Sequence, residues 1–322
     1  METDQQEPGG NKKEGWEREV IEKLAFAALE ESRKARRWGI FFKLFIAVYL
    51  VILLILMQAG TWGEKALAGK YTALIELEGE IAPDSQASAD NIISGLRSAF
   101  EDKAVAGVIL RSNSPGGSPV QSAFIFNEIV RLREKYPDTP LYAVITDICA
   151  SGCYYAVAAA DRIYASPGSL VGSIGVLMDG FGFVEGMKKL GIERRLLTAG
   201  ENKGILDPFS PLDAKSRQHA QKTLNEIHQQ FIAAVKQGRG DTLKPNKEIF
   251  SGLFWTGARA RDLGLVDEFA SAGQVARDVI GAEEIVDFTV RENLLERLTE
   301  RFGLALGRSL ASELRLRGGG LR

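Results

Sequence analysis

Histidine and cysteine are both scarce in this chain of 322 residues. There are two of each: His219 and His228, Cys149 and Cys153. Both histidines lie in one polar stretch of helical character, far along the chain from the serine and glycine motifs described below. Nucleophilic chemistry based on a serine and a histidine base is therefore disfavoured. Two cysteines without a neighbouring histidine make a poor metal site, and no metal is expected. The formal net charge is −2, which gives no overall field for nucleic acid. The one glycine-rich turn that follows an apolar strand, Asn113 to Gly117, lacks the Gly-Lys-Ser/Thr of a phosphate-binding loop. No internal repeat recurs at a fixed period.

Long apolar runs are absent except for one. Trp38 to Met57 reads WGIFFKLFIAVYLVILLILM, with Lys43 as its single charge. Such a run has the length of a bilayer-spanning helix, and a lysine near its start can snorkel. Arg33, Lys34, Arg36 and Arg37 precede it, whereas residues 58–69 carry little positive charge. That bias places the N-terminus in the cytoplasm and the bulk of the chain outside it. Ala66-Leu67-Ala68 offers a cleavage site for a signal peptide, but the preceding segment is too long and the run ends well before the triplet, which favours an uncleaved anchor. The expected organisation is a cytoplasmic segment over 1–37, a transmembrane signal anchor over 38–58, a linker over 59–70, a folded body over 71–285 and a tail over 286–322. The tail places Leu294, Leu298, Phe302, Leu306 and Leu310 at helical spacing among arginines and glutamates. It suits packing on the body or on a neighbouring subunit, or contact with lipid.

Within the body, β-branched runs alternate with amphipathic ones. Strands are predicted at 72–77, 105–111, 141–146, 162–165, 173–177 and 194–197, with a last short one at 263–267. Helices are predicted at 89–100, 120–136, 152–160, 184–190 and 212–237. This alternation indicates an α/β class built from βαβ units.

Three segments carry candidate chemistry. Ser151 follows the apolar run Leu141–Ile145 and precedes Gly152 and the small residues Ala156–Ala160, the position of a nucleophile on a sharp elbow at a strand end. Gly116-Gly117 can bring backbone N–H groups close to an anion or an oxyanion. Lys203 lies in the loop 198–209 beside Ile205, Leu206 and Phe209. A lysine acts as a general base only when neutral, and burial among apolar groups favours that form. Cys149 and Cys153 flank Ser151. Two small buried thiols are the favoured reading there, and a disulfide clamping the elbow is the alternative.

Together, and in this order, these segments resemble the S49 peptidase family, in its short, membrane-anchored signal peptide peptidase A group. The motifs are Asn113-Ser-Pro-Gly-Gly117, Ala150-Ser-Gly-Cys-Tyr-Tyr155, Gly172-Ser-Ile-Gly-Val176, Asp207-Pro-Phe209 and Thr256-Gly through Gly264-Leu-Val-Asp267. The resemblance implies a Ser–Lys dyad with Ser151 as nucleophile, Lys203 as general base and Ser173 orienting the lysine amine. It implies an oxyanion hole from the Gly116-Gly117 turn and Gly152. It also implies the layered ββα spiral of the ClpP/crotonase type, no cofactor, hydrophobic peptide substrates such as signal peptide remnants, and a homo-oligomeric ring whose adjacent subunits share each site. The expected setting is the bacterial inner membrane, with the catalytic domain on the extracytoplasmic side. The rivals are a SohB-type inner-membrane protease of the same family with the same dyad but different clients, an inactive membrane-tethered scaffold, and an acyl-CoA enzyme on the same fold, the last disfavoured by export.

Overall fold

The computed structural model describes residues 36–52 and 69–291, together with Glu22, Lys23, Phe26, Glu31, Arg33 and Lys34. They belong to two compact units that divide between Ala68 and Gly69. In the first unit, residues 36–52 form helix α1. Its apolar side chains, including Trp38, Phe41, Phe45, Tyr49 and Ile52, are exposed. Among the described residues no helix is long and apolar enough to cross a membrane. The second end of the expected anchor, 53–58, lies outside the described residues, as do most of the segment 1–37 and the tail beyond 291.

The second unit is a mixed α/β domain around one eight-stranded, mostly parallel sheet, consistent with a ClpP/crotonase-like fold. Its centre is built by β1 (Tyr71–Glu78), β2 (Val105–Ser114) and β3 (Leu141–Ala150). These strands are nearly continuous in apolar residues because both faces are covered. Ile75 faces Gly95 of α2 (Ala89–Glu101), where an added Cβ would meet its side chain at 3.5 Å. On the other face Leu74, Ile109, Val144 and Tyr164 pack with Val275 and Ala276. Ser88 caps α2 and Ser118 caps α3 (Pro119–Lys135), each accepting from a backbone N–H in the first turn.

Strand β3 changes partner along its length. Its first half, residues 142–144, pairs with β4 (Arg162–Ala165), and its end, residues 148–150, pairs with β5 (Leu170–Gly172). The β2–β3 register also shifts between Ser112 and Ser114. The sheet therefore turns a corner where β3 ends, and the chain leaves it there through Ser151. Three features depart from the sequence expectation. Residues 173–177 are not a strand; β5 ends at Gly172 because Ser173 takes φ 54°, which a continuing strand forbids. Residues 194–197, Arg-Arg-Leu-Leu, are exposed and pair with no strand, so they have no sheet to act in. Residues 263–267 form a turn, and the short strand β7 follows at Glu268–Phe269. The three-residue strands β6 (Phe254–Thr256) and β8 (Ile285–Asp287) are too short to leave a periodic signal; β8 pairs with the start of β1.

Across α2 and α3, Glu128 accepts from Arg97 Nε at 2.7 Å and from Arg131 Nη2 at 2.6 Å. Hydrogen bonds from Arg131 and then Arg97 outweigh burial and hold its carboxyl at about 2, below its ordinary value of 4.5. A depressed folded value stabilises the fold above the unfolded carboxylate range, and the contribution is lost as pH falls through the folded value. Glu128→Gln is expected to destabilise at neutral pH. The difference from the wild type should shrink as pH drops from about 4.5 toward 2. Denaturant midpoints at several pH values measure it, and a pH-independent difference contradicts the assignment.

Candidate active site

Ser151 is the single residue between β3 and the short helix α4 (Gly152–Val157), with φ 52° and ψ −124°. For a residue with a Cβ this region is sparsely populated and costs on the order of 1–3 kcal/mol, so the surroundings must impose it. They do so from both sides. The Ser151 N–H donates to the Gly172 carbonyl at 2.9 Å, and Tyr155 N–H donates to the Ser151 carbonyl at 3.0 Å. The result is a strand-to-helix elbow that presents a half-buried hydroxyl at the sheet corner.

The Gly-Gly turn lies directly against this elbow. The Ile81 N–H donates to the Gly116 carbonyl, and the Ser118 N–H donates to the Ile81 carbonyl, both at 2.8 Å. Gly117 has φ 145°, and a Cβ there would fall 2.2 Å from the Ile81 carbonyl oxygen; a Cβ at Gly152 would meet Ser122 Oγ at 2.4 Å and Gly117 N at 3.2 Å. Only glycine permits this approach. The Gly116 N–H is engaged with Ser114 Oγ at 3.1 Å. Among the described residues the N–H groups of Gly117 and Gly152 have no hydrogen-bond partner.

A cavity of about 730 Å³ opens at this point. Ser151, Gly117, Gly152 and Ser173 all line it, so the structure brings these four predicted residues together. Gly116 packs behind them, where a Cβ would meet Ser151 Cβ at 2.8 Å. Lys203 is not among the lining residues; it is exposed on an arm spanning 173–212. The arm is held by its own Asp-Pro-Phe motif. Phe183 stacks on Phe209 with centroids 5.4 Å apart, Phe183 N–H donates to the Pro208 carbonyl, and Ser210 Oγ donates to Asp207. The hydrogen bond from Ser210 and the nearby Arg194 hold the Asp207 carboxyl below its ordinary value.

Two features are absent from the sequence expectation. His228 lines the same cavity, with Nε2 3.1 Å from the Ile174 carbonyl oxygen. A carbonyl only accepts, so Nε2 carries the hydrogen. Helix α6 (Ala214–Arg239) folds back over α4 and delivers it, and Phe231 of the same helix stacks on Tyr155 at 4.8 Å to form the cavity floor. Separation along the chain hid this. The i, i+3 spacing of His228 and Phe231 was the available signal. The second feature is a correction: Cys149 and Cys153 are not two thiols but a disulfide, with Cα atoms 5.2 Å apart. The turn at Ser151 brings a strand residue and a helix residue within bridging range.

Comparison with known proteins agrees with these motifs. The family model of peptidase family S49 matches residues 133–283. The chain is 32% identical over 240 residues to a proposed protease of Methanocaldococcus jannaschii, covering 73% of this chain and 76% of that one. It is 29% identical over 237 residues to a proposed signal peptide peptidase, SppA, of Enterococcus faecium, covering 71% and 68%. It is also 44% identical over 186 residues to a Na(+)/H(+) antiporter NhaA of Brucella abortus, covering 58% of this chain and 25% of that protein, so the chain spans about a quarter of that relative's length. With the elbow, the Gly-Gly turn and the Asp-Pro-Phe arm each in place, the chain belongs to serine peptidase family S49.

Proposed function

We propose that this protein is a membrane-anchored endopeptidase in which Ser151 is the nucleophile and Lys203 of a neighbouring copy is the general base. The observation that carries this reading is the hydroxyl of a strained Ser151 beside two unpartnered N–H groups, those of Gly117 and Gly152. A peptide carbonyl placed there has its carbon facing Ser151 Oγ and its oxygen facing both donors. Neutral Lys203 takes the Ser151 proton as Oγ attacks, and the oxyanion is held by Gly117 and Gly152. Lys203 then passes the proton to the departing amine. Water, deprotonated by the same lysine, releases the acid from the acyl-enzyme and restores Ser151. Ser173, on the cavity wall, orients the amine.

A shared site is supported by the arm. Lys203 does not line the Ser151 cavity of its own chain, while the arm that carries it exposes Leu177, Phe181 and Leu197 at 81%, 80% and 96%. Apolar groups so exposed call for a covering surface, and a ring of copies supplies one. The exposed apolar faces of α1, with the arginines before it, support an anchor in the inner membrane with the domain outside the cytoplasm. The apolar lining by Val176, Leu224 and Phe231 supports hydrophobic peptide substrates, such as signal peptide remnants left in the bilayer.

A fluorophosphonate probe tests the nucleophile. It is expected to label the wild-type protein on Ser151 and to leave Ser151→Ala unlabelled, with peptide hydrolysis lost in that variant. Labelling of another serine, or hydrolysis by Ser151→Ala at the wild-type rate, defeats the assignment.

A further inference from the structure

We propose that the Cys149–Cys153 disulfide positions Ser151 for attack, so that peptide hydrolysis belongs to the oxidised protein and weakens when the pair is reduced. The proposal rests on Ser151 being the nucleophile. The bond joins the penultimate residue of β3 to the second residue of α4, and its ring encloses Ala150, Ser151 and Gly152. The nucleophile and one of the two unpartnered N–H groups therefore lie inside one short covalent loop. Both sulfurs belong to fully buried residues.

The other restraints on the elbow are non-covalent. Helix α4 has six residues and no side-chain cap at its start, and a helix that short does not hold itself together. Ser151 occupies a backbone conformation that relaxes unless it is imposed. Without the disulfide, its conformation depends on the bonds through Gly172 and Tyr155, on contact with Gly116, and on the packing of α4, where Tyr154 donates to the Leu265 carbonyl and Tyr155 stacks on Phe231. A loop this short removes little freedom from the unfolded chain, so the bond contributes less to global stability than a long-range one would. Its consequence is local. It ties the strand end to the first helical turn at the point where hydroxyl and oxyanion donor must keep their spacing.

Reduction by a dithiol proceeds by exchange. One reductant thiolate attacks a sulfur of the pair, breaking the S–S bond and releasing the other cysteine as a thiolate. The second reductant thiol then displaces the first cysteine and closes the reductant's own disulfide. Two electrons and two protons pass to Cys149 and Cys153. Because both residues are buried, exchange waits on local opening of the first turn of α4. A small-molecule disulfide oxidant reverses the reaction. The redox state of the surroundings thus sets the reactivity of the serine: an oxidising compartment keeps the elbow locked, and a reducing one releases it.

The experiment uses the full-length protein oxidised, reduced with dithiothreitol, and as the Cys149→Ala/Cys153→Ala variant. Thiol state is assigned by alkylation and mass spectrometry. The readouts are kcat and KM on a peptide substrate and the rate of fluorophosphonate labelling of Ser151. Reduction is expected to lower kcat and labelling by about 10-fold or more, the scale on which small misplacements act. KM should change little, because Val176, Leu224 and Phe231 of the cavity lie outside the ring. Reoxidation should restore both rates. The double variant should be slow and indifferent to dithiothreitol. A fully reduced wild type that turns over at the oxidised rate overturns the proposal, and the reduction arm stands even if the double variant does not fold. Failure of the probe to label Ser151 in the oxidised protein overturns the nucleophile assignment along with it. Labelling that is normal and insensitive to reduction overturns only the role of the disulfide.

Discussion

Lys203→Ala is expected to reduce peptide hydrolysis by about 10³-fold, the range associated with loss of a general base, while the protein still folds and assembles. The structure adds a sharper expectation than loss alone. Ser151 and Lys203 of one chain do not line the same cavity. Lys203→Ala, with its serine intact, and Ser151→Ala, with its lysine intact, are each expected to be inactive. Dissociated, mixed in equal amounts and reassembled, they should recover activity. If copies mix at random around a ring, roughly a quarter of the sites pair an intact serine with an intact lysine. Recovery near that level, measured as turnover per total subunit, supports a base donated between copies. No recovery from mixtures shown to exchange subunits places the base within one chain. Undiminished activity of Lys203→Ala alone removes it from the chemistry.

Arg239→Ala is expected to destabilise the domain by about 3–5 kcal/mol, the cost of leaving one partner of a buried ion pair uncompensated. Arg239 ends α6 with its side chain 2% exposed. Its guanidinium donates to both Asp267 oxygens at 3.0 and 2.8 Å and twice to the Gly264 carbonyl. Asp267 also accepts the Ile163 N–H at 2.7 Å. One side chain thus joins the last turn of α6, the turn after α7 (Gly257–Asp262) and the start of β4. Alanine leaves the Asp267 carboxylate with only the Ile163 N–H, and the Gly264 carbonyl with only a long 3.4 Å bond from Thr242 Oγ1. Arg239→Lys keeps the charge but not the two-pronged geometry, and should fall between alanine and wild type. A denaturant-unfolding difference below about 1 kcal/mol for Arg239→Ala would show that the pair contributes no more than a surface bridge. Because α6 also carries His228 and Phe231 to the Ser151 cavity, the loss of stability should bring a loss of activity at temperatures where the wild type still works.

The strands at the centre of the sheet were legible in the sequence because they are buried on both faces. Tyr71–Glu78, Val105–Ser114 and Arg162–Ala165 each carry a buried apolar run, Ala73–Ile75, Val108–Leu110 and Ile163–Ala165, for that reason. The long helices were legible through periodicity and caps. The exposed arm misled, since Leu196 and Leu197 after two arginines look like the end of a strand when their burial is assumed. The short edge strands β6 and β8 carried no pattern, because three residues cannot display one.

Sequence by itself determined where the proposed nucleophile stands: Ser151 lies between a buried strand and a run of small residues, the place of a strand-to-helix turn. It also placed glycine at 116, 117 and 152, while the close approaches of Ile81 and Ser122 that require glycine at 117 and 152 belong to the tertiary structure. Tertiary structure alone decided what meets there. That the Gly116 N–H is already engaged, that His228 and Phe231 close the cavity from a helix more than seventy residues on, that Cys149 and Cys153 are bonded, and that Lys203 does not line the cavity of its own serine all depend on distances between segments. Those distances are set by how the sheet turns its corner and how α6 packs across it, and local sequence pattern carries no record of either.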